Sequence, residues 1–252
     1  MQNKSEIARK LKRAMEFYQE LGFTYLPVKI EQKRGSSQAR KCKSEEVQKS
    51  GSTQARKRES VEVERRESEE GKESALRVLR DEIGDCHRCK LCKNRTNIVF
   101  GEGLSEAKIM FIGEGPGRDE DIQARPFVGE AGKLLGSLIT KLGQKREEVY
   151  IANIVKCRPP NNREPEEDEI LTCRPFVEKQ IEIIKPGVIV SLGKVATHAL
   201  LKIKTPISRV RGNFFDHHGI PLMPTFHPAY LLRNRKDKWL TWGDMQKVLE
   251  KI

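Results

Sequence analysis

Four cysteines set the first chemical constraint on this chain: Cys86 and Cys89 form a C-x2-C pair, and Cys157 and Cys173 follow as C-x15-C. Thiolates are soft ligands, and four of them suit either a tetrahedral zinc ion or an iron–sulfur cubane. Zinc ribbons usually carry two C-x2-C knuckles, so the second pair leans away from zinc without deciding the metal. Cys92 extends the first pair to C-x2-C-x2-C, a ferredoxin-like run, but no C-P follows it. The bland alternative for any single thiol is a small buried hydrophobe.

A second chemistry is offered by three polar segments that end apolar runs: G-E-G-P-G-R-D-E-D at 113–121, N-I-V-K-C-R-P-P-N-N-R at 153–163 and F-H-P-A-Y-L-L-R at 226–233. The first has G-x-G-x-G spacing, which misses the dinucleotide fingerprint, and no Gly-Lys-Ser/Thr follows, so ATP and NAD are poor candidates. Gly115 and Gly117 instead open backbone N–H groups to close approach, beside Glu114, Asp119, Glu120 and Asp121. Such donors suit an oxyanion that develops on a substrate. His227 adds an imidazole and Asn153 an amide that both donates and accepts. The ordinary roles of these residues are a structural His before Pro, a strand-end cap and soluble loop carboxylates.

Positioning these segments falls to short runs rich in Val, Ile, Met and Phe: Ala107–Gly113, Val149–Val155, Gly187–Leu192 and Pro221–Phe226. Bounded by Gly, Pro or Asn, they read as buried parallel strands. Helical patterns alternate with them at Gly129–Leu142, Pro165–Ile184, Lys194–Leu201 and Leu240–Lys251. The β-α-β-α order predicts an α/β sandwich around a mostly parallel four-stranded sheet, with its site beyond the carboxyl ends of the strands.

The chain outside this core reads differently. Ile7, Leu11, Met15, Tyr18 and Leu21 recur at helical spacing before Gly22, so residues 1–30 are expected to hold one amphipathic helix, for docking or for binding a protein partner. Between Lys33 and Glu73 there is no Phe, Tyr or Trp, and G-S-S-Q-A-R-K-C at 35–42 is echoed by G-S-T-Q-A-R-K-R at 51–58. Residues 31–75 are therefore expected to be a disordered charged linker, because they cannot bury enough apolar surface to offset ordering entropy. Residues 76–252 are expected to form one catalytic domain.

Net charge is +12, with 18 basic against 13 acidic residues up to position 75 and 30 against 23 beyond it. Both parts are basic, which favours a polyanionic partner, nucleic acid most simply. No apolar run approaches the ~18 residues of a membrane span, and no signal-peptide layout opens the chain. The expectation is a cytoplasmic, monomeric protein whose cysteines are ligands rather than disulfides.

Taken together and in order, G-E-G-P-G-R-D-E-D, R-P-F-V-G at 125–129, N-I-V-K-C-R-P-P at 153–160 and H-P-A-Y-L-L-R at 227–233, framed by the four cysteines, closely resemble the family 4 uracil-DNA glycosylases over about residues 80–250. The resemblance implies a three-layer α/β/α sandwich, a [4Fe–4S] cluster on Cys86, Cys89, Cys157 and Cys173 with Cys92 a spare, and hydrolytic removal of uracil from DNA. By the same pattern Phe127 stacks on a flipped uracil, Asn153 reads its O4 and N3 edge, and His227 donates to O2 as the leaving base takes up charge. Leu231 and its neighbours are implied as the wedge that holds the base out.

Another branch of these enzymes carries a water-positioning aspartate and a thymine-barring tyrosine where Gly115 and Gly117 stand here. Glu114 is the candidate to orient water or uracil, and Glu120 to exclude thymine. Arg158, Arg163, Arg209, Arg211 and Arg233 are candidates for sequence-independent phosphate contacts. Relatives that trap DNA covalently carry an inserted K-R-R-I-H loop, which Pro159–Glu164 lacks, so turnover is expected. The rival reading is a non-catalytic zinc or iron–sulfur DNA-binding accessory protein, which would need the cysteines and the charge but not Phe127, Asn153 and His227 together.

Overall fold

The computed structural model describes residues 69–252; the expected N-terminal helix and the linker before residue 69 lie outside the described residues. Residues 69–75, assigned above to the linker, are instead part of a helical run over 69–83. Their polar composition is that of a solvent-facing helix start. The apolar residues that anchor the run, Leu76, Leu79 and Ile83, come later and are buried in the core.

The sheet has six strands: β1 (Glu102–Gly103), β2 (Ile109–Gly113), β3 (Tyr150–Asn153), β4 (Val188–Leu192), β5 (Phe215–His217) and β6 (Ile220–Thr225), in the order β1-β3-β2-β4-β6-β5. The four expected strands form its parallel centre, and β1 and β5 add antiparallel edges. The count of four is thus corrected to six. The two additional strands are two and three residues long, too short to carry an alternating pattern.

Every residue of β2, β3 and β4 is buried, which is why these strands read as unbroken apolar runs. Met110 and Ile112 of β2 pack with residues 69–83 and with the helices Glu167–Ile184 and Gly193–Leu201. Ile109 and Phe111 point to the other face by the two-residue period of a strand. There the helices Glu130–Lys141 and Lys238–Leu249 supply buried Leu135, Leu138, Ile139, Trp242, Met245 and Val248. Two helical layers enclose the sheet, giving the α/β/α sandwich.

Register fixes where the site is built. Gly113 pairs with Asn153, and Leu192 with Thr225, so four parallel strands end at one level. The glycine loop, the 154–163 segment, Gly193 and His227 all leave the sheet from that edge.

Candidate active site

A cleft of about 480 Å³ opens over the carboxyl ends of the strands, lined by Glu114, Gly115, Gly117, Glu120, Phe127, Asn153 and His227 among others. Seven of the eight pocket residues singled out from sequence are therefore brought together, and Leu231 is the exception. It is 1% exposed, packed on the inner side of the Pro228–Arg233 helix, whereas Leu232 beside it is 39% exposed. A core side chain cannot enter DNA, so of the two leucines only Leu232 is exposed enough to be a wedge candidate.

Asn153 ends β3 with its amide buried at 1% exposure, and its Oδ1 has no hydrogen-bond partner. Leaving a buried acceptor unpaired costs about 1–3 kcal/mol. Such a cost persists where a ligand is to supply the donor. A Cβ on Gly113 would stand 2.4 Å from this Oδ1 and 2.5 Å from the Phe127 ring, so only glycine lets both side chains lie over the end of β2.

Phe127 is itself held in a left-handed backbone conformation, φ 50°, in the loop before the Glu130–Lys141 helix. Positive φ is costly for an aromatic residue and marks a conformation imposed by its surroundings. The ring is buried and lies 5.6 Å from the His227 ring, tilted by 34°.

His227 caps the Pro228–Arg233 helix: the Ala229 backbone N–H donates to its Nδ1 at 3.1 Å. Nδ1 is therefore unprotonated, and the neutral ring carries its hydrogen on Nε2. Burial, with Arg233 adding to it, pulls the imidazole down to about 4, against a smaller opposing effect of Glu120. A neutral N–H donor results at physiological pH. Gly193, with φ 88° at the end of β4, makes room for it, since a Cβ there would meet the His227 Cβ at 2.9 Å.

The carboxylates divide between two tasks. Glu120 Oε1 accepts from the backbone N–H groups of Val128 and Gly129, both at 2.9 Å, and its Oε2 fills the space beside Gly117, 2.7 Å from where a Cβ would stand. Glu114 is pushed up to about 7, first by burial and then by Glu164, with Lys194 opposing. Lys194 donates to Glu164 at 2.8 Å. Glu164 and Lys194 escaped the sequence reading, although Lys194 follows the end of β4, where the strand-end rule directs attention.

Two of the five arginines proposed for phosphate contact are engaged elsewhere. Arg211 pairs with buried Asp244 and donates to the Leu240 carbonyl at 2.6 Å. Arg163 makes a two-pronged pair with buried Glu169 at 2.7 and 2.8 Å, clamping the start of the Glu167–Ile184 helix. Arg158 donates to Asn162 at 2.8 Å, Arg209 is exposed, and Arg233 is exposed on the rim of the cleft.

Four residues beyond Asn153 the chain enters a second cavity, small and apolar, where Cys86, Cys89, Cys157 and Cys173 converge with Ile83, Ile98 and Phe176. Cys92 does not line it. Nitrogen donors approach three of the sulfurs: Arg88 to Cys86 at 3.4 Å, Arg95 to Cys157 at 3.5 Å and the Lys156 backbone to Cys173 at 3.3 Å. Burial pushes the Cys157 thiol up to about 12 and raises those of Cys89 and Cys173, so ionising them requires a cation in the cavity. Lys156, fully buried, links the two sites: its Nζ donates to the Asn153 carbonyl at 2.9 Å and to Gln180 at 2.6 Å.

Comparison with known proteins agrees with this geometry. The family model of the uracil DNA glycosylase superfamily matches residues 100–249. A type-4 uracil-DNA glycosylase of Saccharolobus solfataricus is 49% identical over 186 residues, covering 70% of this chain and 86% of that protein. One from Thermotoga maritima is 48% identical over 169 residues, covering 66% and 88%. A type-5 uracil-DNA glycosylase of Pyrobaculum aerophilum is more distant, 29% identical over 146 residues.

Proposed function

The chain belongs to the uracil-DNA glycosylase superfamily, in its type-4 group, and from that premise we propose how its residues excise uracil from DNA. It is a hydrolase of the N-glycosidic bond that leaves an abasic site, acting as a monomer in the cytoplasm. Among the described residues no helix is long and apolar enough to cross a membrane.

The target nucleotide leaves the stack and its base enters the cleft, with Phe127 on one face. Asn153 reads the exposed edge: its unpaired Oδ1 accepts from uracil N3–H while the amide nitrogen donates to O4. Cytosine presents an acceptor at N3 and a donor at position 4, so it leaves that amide doubly mismatched. The partnerless acceptor is the observation that carries this reading. Glu120, whose Oε2 lies beside Gly117 at the cleft, is the residue assigned to exclude thymine's methyl.

Breaking the bond sends its electron pair to uracil, chiefly onto O2 and O4. The His227 Nε2–H, neutral and fixed by its Nδ1 contact, donates to O2 as that charge grows. Glu114, poised near neutrality by burial, orients the water that adds to C1′ and loses a proton. A dissociative step of this kind needs only a weakly activated water.

The four thiols hold a [4Fe–4S] cluster. The C-x15-C spacing of Cys157 and Cys173 departs from the second C-x2-C knuckle of a zinc ribbon, which favours the cluster over zinc. Cys86, Cys89, Cys157 and Cys173 would hold the cluster, tying residues 86–89 to the 157–173 segment, and the hydrolysis, which moves no electrons, would not call on it.

A uracil-containing oligonucleotide incubated with the protein and then treated with alkali tests this reading. Cleavage at uracil but not at cytosine is expected, and it is strongly slowed by His227→Ala and Asn153→Ala. An intact strand with the wild type overturns the enzymatic reading in favour of a non-catalytic DNA-binding protein.

A further inference from the structure

At the opposite end of β6 from His227 lies a group of side chains that the uracil chemistry does not use. His217 ends β5 and Ile220 begins β6, so His218 and Gly219 form a two-residue hairpin loop, with φ 53° and 84°. Positive φ at both positions is the type I′ pattern, which usually takes Asn-Gly. Here a histidine sits in the strained position.

The consequence is a convergence that a regular strand forbids. Successive strand residues point to opposite faces, yet the turn brings the His218 ring to 4.7 Å from that of His217, edge to face. His217 is buried, and its Nε2 lies 3.0 Å from Oε2 of Glu178 on the Glu167–Ile184 helix. One ligand atom from each of Glu178, His217 and His218 falls within 4.8 Å of the others. An ion pair needs only one imidazole; the second is surplus to it.

We infer that Glu178, His217 and His218 form a site for a divalent first-row transition cation of the zinc class. Two imidazoles and one carboxylate are a ligand set that zinc accepts, with water completing the tetrahedron. Ligand atoms around zinc stand about 3.3 Å apart, so the His217–Glu178 spacing already suits it, and rotation of the exposed His218 ring closes the rest. Arg174 Nε lies 3.8 Å from Glu178 Oε1, pairing with the other carboxylate oxygen, while its Nη1 donates to the Ala199 carbonyl at 3.2 Å. Its positive charge also opposes the cation and weakens its binding.

The site joins the edge hairpin to the helix that carries Cys173, at a distance of roughly 20 Å from His227 along β6. Its role is a structural clamp, independent of the excision chemistry.

The test titrates zinc chloride, with magnesium chloride as control, into the iron-loaded full-length protein by calorimetry and by thermal unfolding. The expected result is one equivalent of zinc bound, no magnesium response, and a midpoint raised by about 5–10 °C at a hundredfold excess over Kd. His218→Asn keeps a residue that tolerates the left-handed turn and leaves the His217–Glu178 pair in place; it should weaken zinc binding at least tenfold, as should Glu178→Gln. Uracil excision should be unchanged in both variants. Absence of saturable binding in the wild type, or equal zinc affinity in wild type and His218→Asn, overturns the inference.

Discussion

The cleft and the thiol cavity are built four residues apart on the same segment after β3, and they treat their polar groups in opposite ways. In the cleft Asn153 Oδ1 is buried without a partner, Glu114 is held near its protonated form, and His227 offers an unshared N–H. In the cavity Arg88, Arg95 and the Lys156 backbone already approach three of the four sulfurs. A site that receives and releases a ligand keeps bonding capacity open and tolerates the resulting instability. One that holds its ligand permanently satisfies its donors during folding.

That contrast predicts opposite phenotypes. Cys173→Ala should give the largest effect, because losing a ligand of the proposed cluster would remove folding free energy itself. The expected outcome is protein with little iron, no brown colour and a midpoint lowered by more than 10 °C, measured by iron analysis and calorimetry. His227→Ala should instead leave iron content and midpoint near wild type while the single-turnover excision rate falls about 10²–10³-fold, the usual cost of losing one oxyanion donor. If His227→Ala lost its iron as well, the two sites would not be separable.

Asn153→Leu sharpens the comparison, since activity and stability should move in opposite directions. Excision falls by about 10–100-fold as the edge contacts disappear, whereas removing an orphaned buried acceptor returns about 1–3 kcal/mol of stability, less any packing mismatch. Loss of both activity and stability would mean that Asn153 is a structural cap after all.

Glu114→Gln tests the same trade through pH. Its folded pKa of about 7 lies above the ordinary 4.5, so the stability the neutral carboxyl provides is complete below about 4.5 and is lost as pH rises through 7. Glutamine keeps the neutral form. The variant should therefore match wild type in thermal midpoint at pH 5 and exceed it at pH 8, by about 1–2 kcal/mol after allowing for solvent screening. Excision should rise between pH 6 and 8 in the wild type and stay low and flat in the variant. His227, with its pKa near 4, adds no inflection above pH 5.

The parts legible in sequence were those written in burial or in side-chain type. Strands β2, β3, β4 and β6 appeared as apolar runs because the sheet is covered on both faces; most cleft residues stood in polar segments at strand ends, while Phe127 came only from the family resemblance. What escaped depends on partners distant in sequence. β5 reads Phe-Asp-His, and only pairing with β6 makes it a strand. Arg163 and Arg211 look like free cations until Glu169 and Asp244 come beside them. Gly193 and Gly113 show their purpose only when His227, Phe127 and Asn153 arrive over them.

The distinction between Leu231 and Leu232 was lost for a similar reason, since the six-residue Pro228–Arg233 helix is too short for its period to say which leucine faces in. Leu232 is exposed while Leu231 is buried, so the two truncations should part company. Leu231→Ala opens a core cavity and should cost about 2–5 kcal/mol of stability, read as a lower midpoint. Leu232→Ala should leave the midpoint unchanged and slow excision from duplex DNA about 3–10-fold, because a wedge acts by replacing the lost base stack. A single strand has no stack to hold open, and there the Leu232 variant should equal wild type. Equal slowing on both substrates would take the wedge away from this helix and leave Phe127, Asn153 and His227 to hold the flipped base unaided.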